Sequence, residues 1–237
     1  MTKIGFTIFL TGCLCAITAT TNAISLKGSG NIISEDRDLP EFTNITVKGS
    51  TDVTLTQDNK RAVRVTVDDN LISHLQTEVV NGTLEIYFDC SVNTSGNHLV
   101  EIVIPVLESI KISGSSDVSG NGTWNCSDLT LAVSGSGDIT CDVNADTLTV
   151  KISGSGDIIL SGNTDEVTCK IAGSGDFKAL DLEAKAADIS ISGSGNVKIH
   201  VSEKLNARIL GSGDIQYSGN PKIEQRILGS GSITNSN

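Results

Sequence analysis

The chain has 237 residues, 24 of them glycine and only three proline, and aromatic residues make up 3% of it. Its formal net charge of −11 argues against nucleic acid or an anionic membrane surface as a partner, because both repel an acidic protein. The many glycines favour a fold with numerous tight turns over one built from long helices.

Residues 1–23 have the pattern of an export signal, and we leave them out of the predicted fold. Lys3 precedes an apolar stretch over residues 4–17, which is shorter than the roughly 20 residues of a membrane span. Small residues at Thr21 and Ala23 favour cleavage after Ala23. Residues 10–13 offer the alternative of a lipobox, in which Cys13 would carry a lipid. Both alternatives predict an exported protein, located in the periplasm, on the outer-membrane surface or outside the cell.

The sequence of residues 24–113 predicts an irregular N-terminal part of the domain that the later residues complete. Gly28–Ile32 and Gly49–Val53 resemble two copies of a glycine-rich turn, 21 residues apart. Alternating apolar and polar residues predict strands at 63–67, 84–88 and 100–104, and a short helical turn is expected at 69–75. We therefore expect an extra layer, inserted after the second copy of the turn.

Residues 114–237 contain a Gly-Ser-Gly-Asp turn, or a close variant of it, at nearly constant spacing. The copies begin at Gly114, Gly135, Gly154, Gly173, Gly193, Gly211 and Gly229, at intervals of 21, 19, 19, 20, 18 and 18 residues. A period this short indicates stacked copies of one small unit, each of which buries its apolar face against its neighbours.

The residues around each turn alternate strictly between apolar and polar. In the six coils from Gly135 onward, positions two, four and six before the first glycine, and four and six after it, are apolar except at Gln225 and Asn235 of the last coil. Such alternation is typical of strands with one buried face. Because about 19 residues cannot hold a helical crossover, we predict an all-β, right-handed parallel β-helix in which residues 24–237 form one domain. The two polar residues would suit a terminal cap.

The turn itself has a predicted structural role. Its two glycines would allow positive φ and a close approach of successive coils, and the aspartate would accept a backbone N–H in an Asx-turn. The predicted structural glycines are Gly135, Gly137, Gly154, Gly156, Gly173, Gly175, Gly193, Gly195, Gly211 and Gly213.

The turn aspartates also raise a calcium hypothesis. Calcium takes six to eight oxygen ligands, and the candidate ligands are Asp138, Asp157, Asp176 and Asp214. Each coil supplies a single carboxylate, however, so capping of the turn is the favoured interpretation. We predict no cofactor.

Four cysteines follow the predicted signal, in no zinc-binding pattern. Cys141 and Cys169 fall on inward positions of the repeat, so we expect them to be small core residues. A disulfide between Cys90 and Cys126 is an alternative for the other two.

The chain resembles the head GIN domain family of autotransporter adhesins. The similarity covers nearly the whole chain after residue 23 and is carried by Leu26–Ile32, Phe42–Val47, Asp52–Gln57, Asp68–Leu71, Ile110–Ser115 and the serial turns. The resemblance implies an exported β-helical protein of the adhesin type, and it brings no catalytic residues with it.

Three functional hypotheses follow. The favoured one is a non-enzymatic surface or periplasmic module that binds a surface glycan or a protein, or that self-associates. A polysaccharide-binding or polysaccharide-cleaving β-helix is the alternative, although His74, His98 and His200 are scattered and accompany no nucleophile. A calcium-stabilised surface protein is the third. Lys151, Lys170, Arg208 and Arg226 form a basic stripe that suits an acidic glycan or, more simply, a solvated face.

Overall fold

Eighteen β-strands and no helix make up the regular structure of residues 25–93, 96 and 98–237, which are the residues that the computed structural model describes. The predicted signal at residues 1–23, with Cys13, lies outside them. The first ten strands are β1 (Leu26–Lys27), β2 (Ile32–Arg37), β3 (Asn44–Gly49), β4 (Asp52–Gln57), β5 (Ala62–Asp68), β6 (Leu75–Val80), β7 (Thr83–Phe88), β8 (Val92–Asn93), β9 (Leu99–Ile104) and β10 (Ser109–Gly114).

The remaining strands belong to the regular coils. They are β11 (Val118–Gly135), β12 (Ile139–Ile152), β13 (Ile158–Ile171), β14 (Phe177–Gly193), β15 (Val197–Gly211), β16 (Ile215–Ser218), β17 (Lys222–Gly229) and β18 (Ile233–Asn235). Each of them pairs in parallel with the equivalent strand of an adjacent coil, and Gly114 lies beside Gly135. The predicted all-β solenoid with coils of about 19 residues is confirmed, and it has about seven turns.

The alternating apolar residues form the interior of the solenoid. In the coils before the last one they are buried almost without exception, including Cys141 and Cys169, while Tyr217 is half-buried. In the last coil Ile227 is 38% exposed, and Gln225 and Asn235 are exposed as well. Polar side chains at these two positions therefore add no apolar surface to this exposed coil.

Differences in coil length are absorbed at one corner only. The register shifts between Ser119 and Thr123, between Ile159 and Ser161, and again between Ala179 and Glu183. All of these shifts lie after the turn, in the second corner of the coil, where the strand continues through a bulge. The glycine turn and the strand before it keep one length in every coil. The second corner is therefore the part of the coil that can vary without disturbing the core.

The N-terminal part does not stack in chain order. Strand β3 lies between β7 and β10, and β4 lies between β9 and β11, all in parallel. Residues 83–104 thus form a coil that covers the preceding one, on the side away from the regular repeats. Antiparallel pairing then extends this layer, because β5 pairs with both β9 and β2, and β6 pairs with β7.

Gly28–Ile32 differs from the later turns, because the strands on its two sides pair differently. Here Gly30 N–H donates to Asp68 Oδ1 (2.6 Å) and Ser29 N–H donates to Asn70 Oδ1 (2.9 Å). Strand β1, before the segment, pairs in parallel with β8, and Gly28 N–H donates to the carbonyl of Asn93 (3.1 Å). Strand β2, after it, pairs antiparallel with β5. The expected helical turn at 69–75 is a hydrogen-bonded turn, in which Leu75 N–H donates to the carbonyl of Leu71.

Candidate functional site

The turn glycines allow adjacent coils to touch at the first corner. A Cβ on Gly154 would lie 2.2 Å from the carbonyl oxygen of Gly135, and one on Gly156 would lie 2.0 Å from that of Gly137. The carbonyl of Gly135 takes part in inter-coil bonding, since it accepts N–H groups from both Ser155 (2.8 Å) and Gly156 (3.1 Å). The same close contacts recur at the second glycines Gly175, Gly195 and Gly213 and at the first glycines Gly173, Gly193 and Gly211.

Positive φ is needed at fewer of the turn glycines than the sequence predicted. The first glycines Gly135 and Gly211 have φ of 150° and 146°, whereas the second glycine of each turn from Gly135 onward is absent from the positive-φ residues of the described chain. At the second glycine the need is therefore for space alone.

The turn aspartates form a ladder between coils and not an Asx-turn within one coil. Asp138 Oδ1 accepts the backbone N–H of Asp157 (2.7 Å), and Asp157 Oδ1 accepts that of Asp176 (2.8 Å). Asn196 Oδ1 likewise accepts the backbone N–H of Asp214 (3.0 Å), and Asp214 Oδ1 accepts that of Ser232 (2.7 Å). Stacking brings each carboxylate to the next coil's amide, so the longer-range bond replaces the local one.

The calcium candidates accept hydrogen bonds from protein groups in this ladder. One oxygen of each of Asp138, Asp157, Asp176 and Asp214 is bonded to an amide, and Asp157 Oδ2 also accepts from Lys178 Nζ (2.5 Å). Among the described residues, the one group of three metal-ligating side chains with ligand atoms within 4.8 Å of one another is His74, Asp89 and Cys90. The turn carboxylates do not form such a group.

The predicted basic stripe is aligned in the structure. Lys151 lies beside Lys170, and Arg208 lies beside Arg226, with Ser190 between the two pairs. These four cations are exposed on the strand face before the turn. A small surface groove of about 290 Å³ lies along Arg208 and Arg226, with Asp188 and Glu224 in its walls. These carboxylates weaken the attraction of the groove for an anion.

A larger groove runs along the second corner, on coils β11 to β15. Its volume is about 840 Å³, and Asn125, Asn144 and Asn163 line it in one row. Asn144 Nδ2 donates to Asn125 Oδ1 (3.2 Å), and Asn163 Nδ2 donates to Asn144 Oδ1 (3.0 Å). In the following coils the same row continues with Glu183 and His200. Five stacked strands span about 19 Å at the usual strand spacing.

The asparagine row is anchored to the preceding coil. Gln57, at the end of β4, donates through Nε2 to the carbonyl of Asn125 (3.0 Å) and accepts the N–H of Asn125 at Oε1 (2.9 Å). A second groove of about 670 Å³, lined by Val106, Glu108 and Lys111, shares Asn125 and the two residues after it. The two grooves therefore adjoin each other at Asn125, Cys126 and Ser127.

The charges of the larger groove are mainly acidic. Asp146, Asp165 and Glu183 line it, and Lys185 is the one lysine or arginine among its lining residues. Lys185 Nζ lies 2.6 Å from Asp165 Oδ1, and this contact raises the pKa of the lysine. His200 Nδ1 lies 2.9 Å from Ser218 Oγ. Sequence analysis missed this site, although the 19-residue spacing of the three asparagines was a visible signal.

The three histidines remain apart, as their spacing suggested. His74 Nδ1 lies 2.8 Å from Asp89 Oδ1, whereas His98 is buried and burial lowers its pKa. His200 is the one that reaches the large groove.

The proposed disulfide between Cys90 and Cys126 is wrong, because both thiols are free. Cys90 follows β7, which is separated from β11 by β3 and β10, so three strand spacings of about 4.8 Å lie between them. A disulfide needs Cα atoms within about 7 Å. Burial raises the pKa of Cys126 to about 11 and that of Cys141 to about 12.

Within the described residues there is no helix long and apolar enough to cross a membrane.

The family described as "Putative auto-transporter adhesin, head GIN domain" matches residues 41–221. No curated protein matches the chain.

Solved structures resemble this one over most of its length. A putative adhesin from Bacteroides fragilis has a TM-score of 0.85 and 26% identity, covering 90% of this chain and 100% of that one. A putative lipid binding protein from Parabacteroides distasonis has a TM-score of 0.77 and 28% identity, with the same coverage. A putative adhesin from Parabacteroides merdae shares the fold, with a TM-score of 0.74 and 24% identity, covering 90% of this chain and 99% of that one.

Proposed function

This chain belongs to the head GIN domain family of auto-transporter adhesins, and on that premise we propose that it is an exported, non-enzymatic module that binds a surface glycan in its second-corner groove. The family is described as one of auto-transporter adhesins, and an adhesin acts outside the cytoplasm. The coil repeat supports such a role, because it presents the same polar group at regular intervals along a rigid surface.

The asparagine row is the observation that carries this proposal. Each carboxamide in the row has two donors and two acceptor sites, of which the ladder uses only part. Asn144, in the middle of the row, thus keeps one donor and one acceptor position for a ligand. A series of hydroxyl groups on an extended polymer matches such a series of donors and acceptors.

The composition of the groove narrows the ligand class. Three carboxylates against one lysine disfavour an acidic polymer and favour a neutral or amino-bearing glycan. The similar structure from Parabacteroides distasonis is named a lipid binding protein, but an acyl chain would need an apolar groove. Here Cys126, Ala145 and Ala184 are the apolar residues of a lining that otherwise consists of polar and charged residues.

Two alternatives to this proposal each rest on an observation of their own. Asp146, Asp165 and Glu183 supply carboxylates of the kind that glycan cleavage uses, so release of product would indicate an enzyme. Leu210 and Leu228 are neighbours in β15 and β17 and are 44% and 50% exposed, which supports self-association or a protein ligand at the last coils.

A glycan array with the purified protein tests the proposal. We expect reproducible binding of a neutral or amino-bearing polysaccharide without release of shortened product. Asn144→Ala should weaken that binding at least about tenfold, the loss expected when a hydrogen-bonding group in a ligand site is removed. Asn121→Ala is the matched control, since Asn121 is an exposed asparagine of the same strand as Asn125 but lies outside the groove. Equal binding by wild type and Asn144→Ala would refute the assignment of this groove.

A further inference from the structure

The open end of the β6–β7 hairpin brings together three side chains of different chemistry. Leu75 pairs with Phe88 at the end of the antiparallel ladder. One step further, the backbone N–H of Asp89 donates to the carbonyl of His74 (3.1 Å), so these two residues face each other outside the last strand pair. Cys90 follows directly. Residues 15 positions apart in the chain are thereby held side by side by backbone hydrogen bonds.

The ligand atoms of these residues are close enough to share one ion. The imidazole, carboxylate and thiol atoms of His74, Asp89 and Cys90 lie within 4.8 Å of one another. His74 Nδ1 and Asp89 Oδ1 are 2.8 Å apart, whereas two ligands of a tetrahedral zinc ion are about 3.3 Å apart, so little movement is needed to admit the ion. His74 and Cys90 are half-buried, and Asp89 is exposed.

A supporting contact orients the carboxylate. Gln76 Nε2 donates to the second oxygen of Asp89 (3.2 Å) and to the carbonyl of Ser73 (2.9 Å). Contacts of this kind, made to the ligands and not to the ion, fix ligand orientation in metal sites. The thiol of Cys90 takes part in no disulfide, so it remains available as a ligand.

We propose that His74, Asp89 and Cys90 bind a divalent transition-metal ion of the zinc type. The donor set decides the class of metal, because a thiolate and an imidazole favour zinc-like ions over calcium and magnesium, which prefer oxygen. Three protein ligands leave a fourth position for water or an external ligand. The site lies on the hairpin at the N-terminal end of the sheet, so it is separate from the asparagine groove and does not depend on the function proposed there.

Cobalt(II) is the probe of choice, since it replaces zinc and reports its ligands by absorption. The reduced protein, freed of reductant, is titrated with cobalt chloride and then with zinc chloride. We expect a thiolate-to-cobalt charge-transfer band in the near ultraviolet, bleached by one equivalent of zinc. Zinc affinity measured by calorimetry should fall at least about tenfold in Cys90→Ser and in His74→Gln.

Matched controls separate this site from other thiols and histidines. Cys126→Ser removes the other half-buried cysteine, and His200→Gln removes a half-buried histidine of the large groove. Both should keep the band and the affinity, with circular dichroism confirming the fold of every variant. Absence of the band in the wild type, its persistence in Cys90→Ser, or its loss in Cys126→Ser would overturn the assignment.

Discussion

Replacing Gly175 by alanine should destabilise the solenoid strongly, because the position has no room for a methyl group. A Cβ there would lie 2.0 Å from the carbonyl oxygen of Gly156 and 2.9 Å from Ile152 Cγ2, whereas real Cβ contacts stay beyond 3.0 Å. The coils must separate locally by about 1 Å to accept it. Because Gly175 is absent from the positive-φ residues, backbone strain adds nothing to this cost.

The expected cost follows from what that separation breaks. Gly175 N–H and Ser174 N–H both donate to Gly154 O, at 3.1 and 2.8 Å, and both bonds would be stretched. Two weakened hydrogen bonds at about 1 kcal/mol each, with about 1–3 kcal/mol for overpacking, predict a loss of about 3–5 kcal/mol. For a protein of this size that is a decrease in Tm of about 6–20 °C.

Thermal and urea unfolding measure this loss, and hydrogen exchange shows whether it is confined to the affected coils, as is common in repeat proteins. Ser174→Ala is the exposed neighbouring control and should stay within about 0.5 kcal/mol of wild type. Gly82→Ala is the backbone control, because Gly82 has φ of 73° and open space, so about 1–2 kcal/mol of strain is expected. If Gly175→Ala costs no more than Gly82→Ala, the close-approach argument is wrong.

The aspartate ladder and His98 give two further predictions. Asp157→Ala should cost about 1–3 kcal/mol in urea unfolding, because the N–H of Asp176 loses its acceptor, while Asp157→Asn retains an acceptor and should cost less; equal losses would contradict this. In the same protein, millimolar calcium should leave Tm unchanged relative to chelator. Burial lowers the pKa of His98 against the pull of Asp68 and Asp52, so the unfolded chain binds a proton that the native protein does not. Stability should therefore fall as pH decreases below about 6.5, and His98→Gln should flatten that decrease; an unchanged slope would show that other groups cause it.

The candidate sites were only partly predictable. The basic stripe at Lys151 and Lys170 could be predicted because strand neighbours in a solenoid are repeat neighbours in the chain. The asparagine row obeys the same rule, since Asn125, Asn144 and Asn163 each lie ten residues before a turn glycine, but nothing in the sequence indicated that this corner forms a groove. The His74–Asp89–Cys90 cluster depends on the pairing of β6 with β7, and neither residue type nor spacing indicated a metal motif.

The sequence alone determined the coil, its period and its buried columns, because strict alternation and the turn glycines are local features that repeat about every 19 residues. Only the tertiary structure decided the order of the N-terminal layers. Strand β3 is inserted between β7 and β10, and Asn44 pairs with both Thr83 and Ser109. Alternation marks which face of a strand is buried but does not select its neighbours, since parallel and antiparallel partners bury the same face. Long-range packing makes that selection.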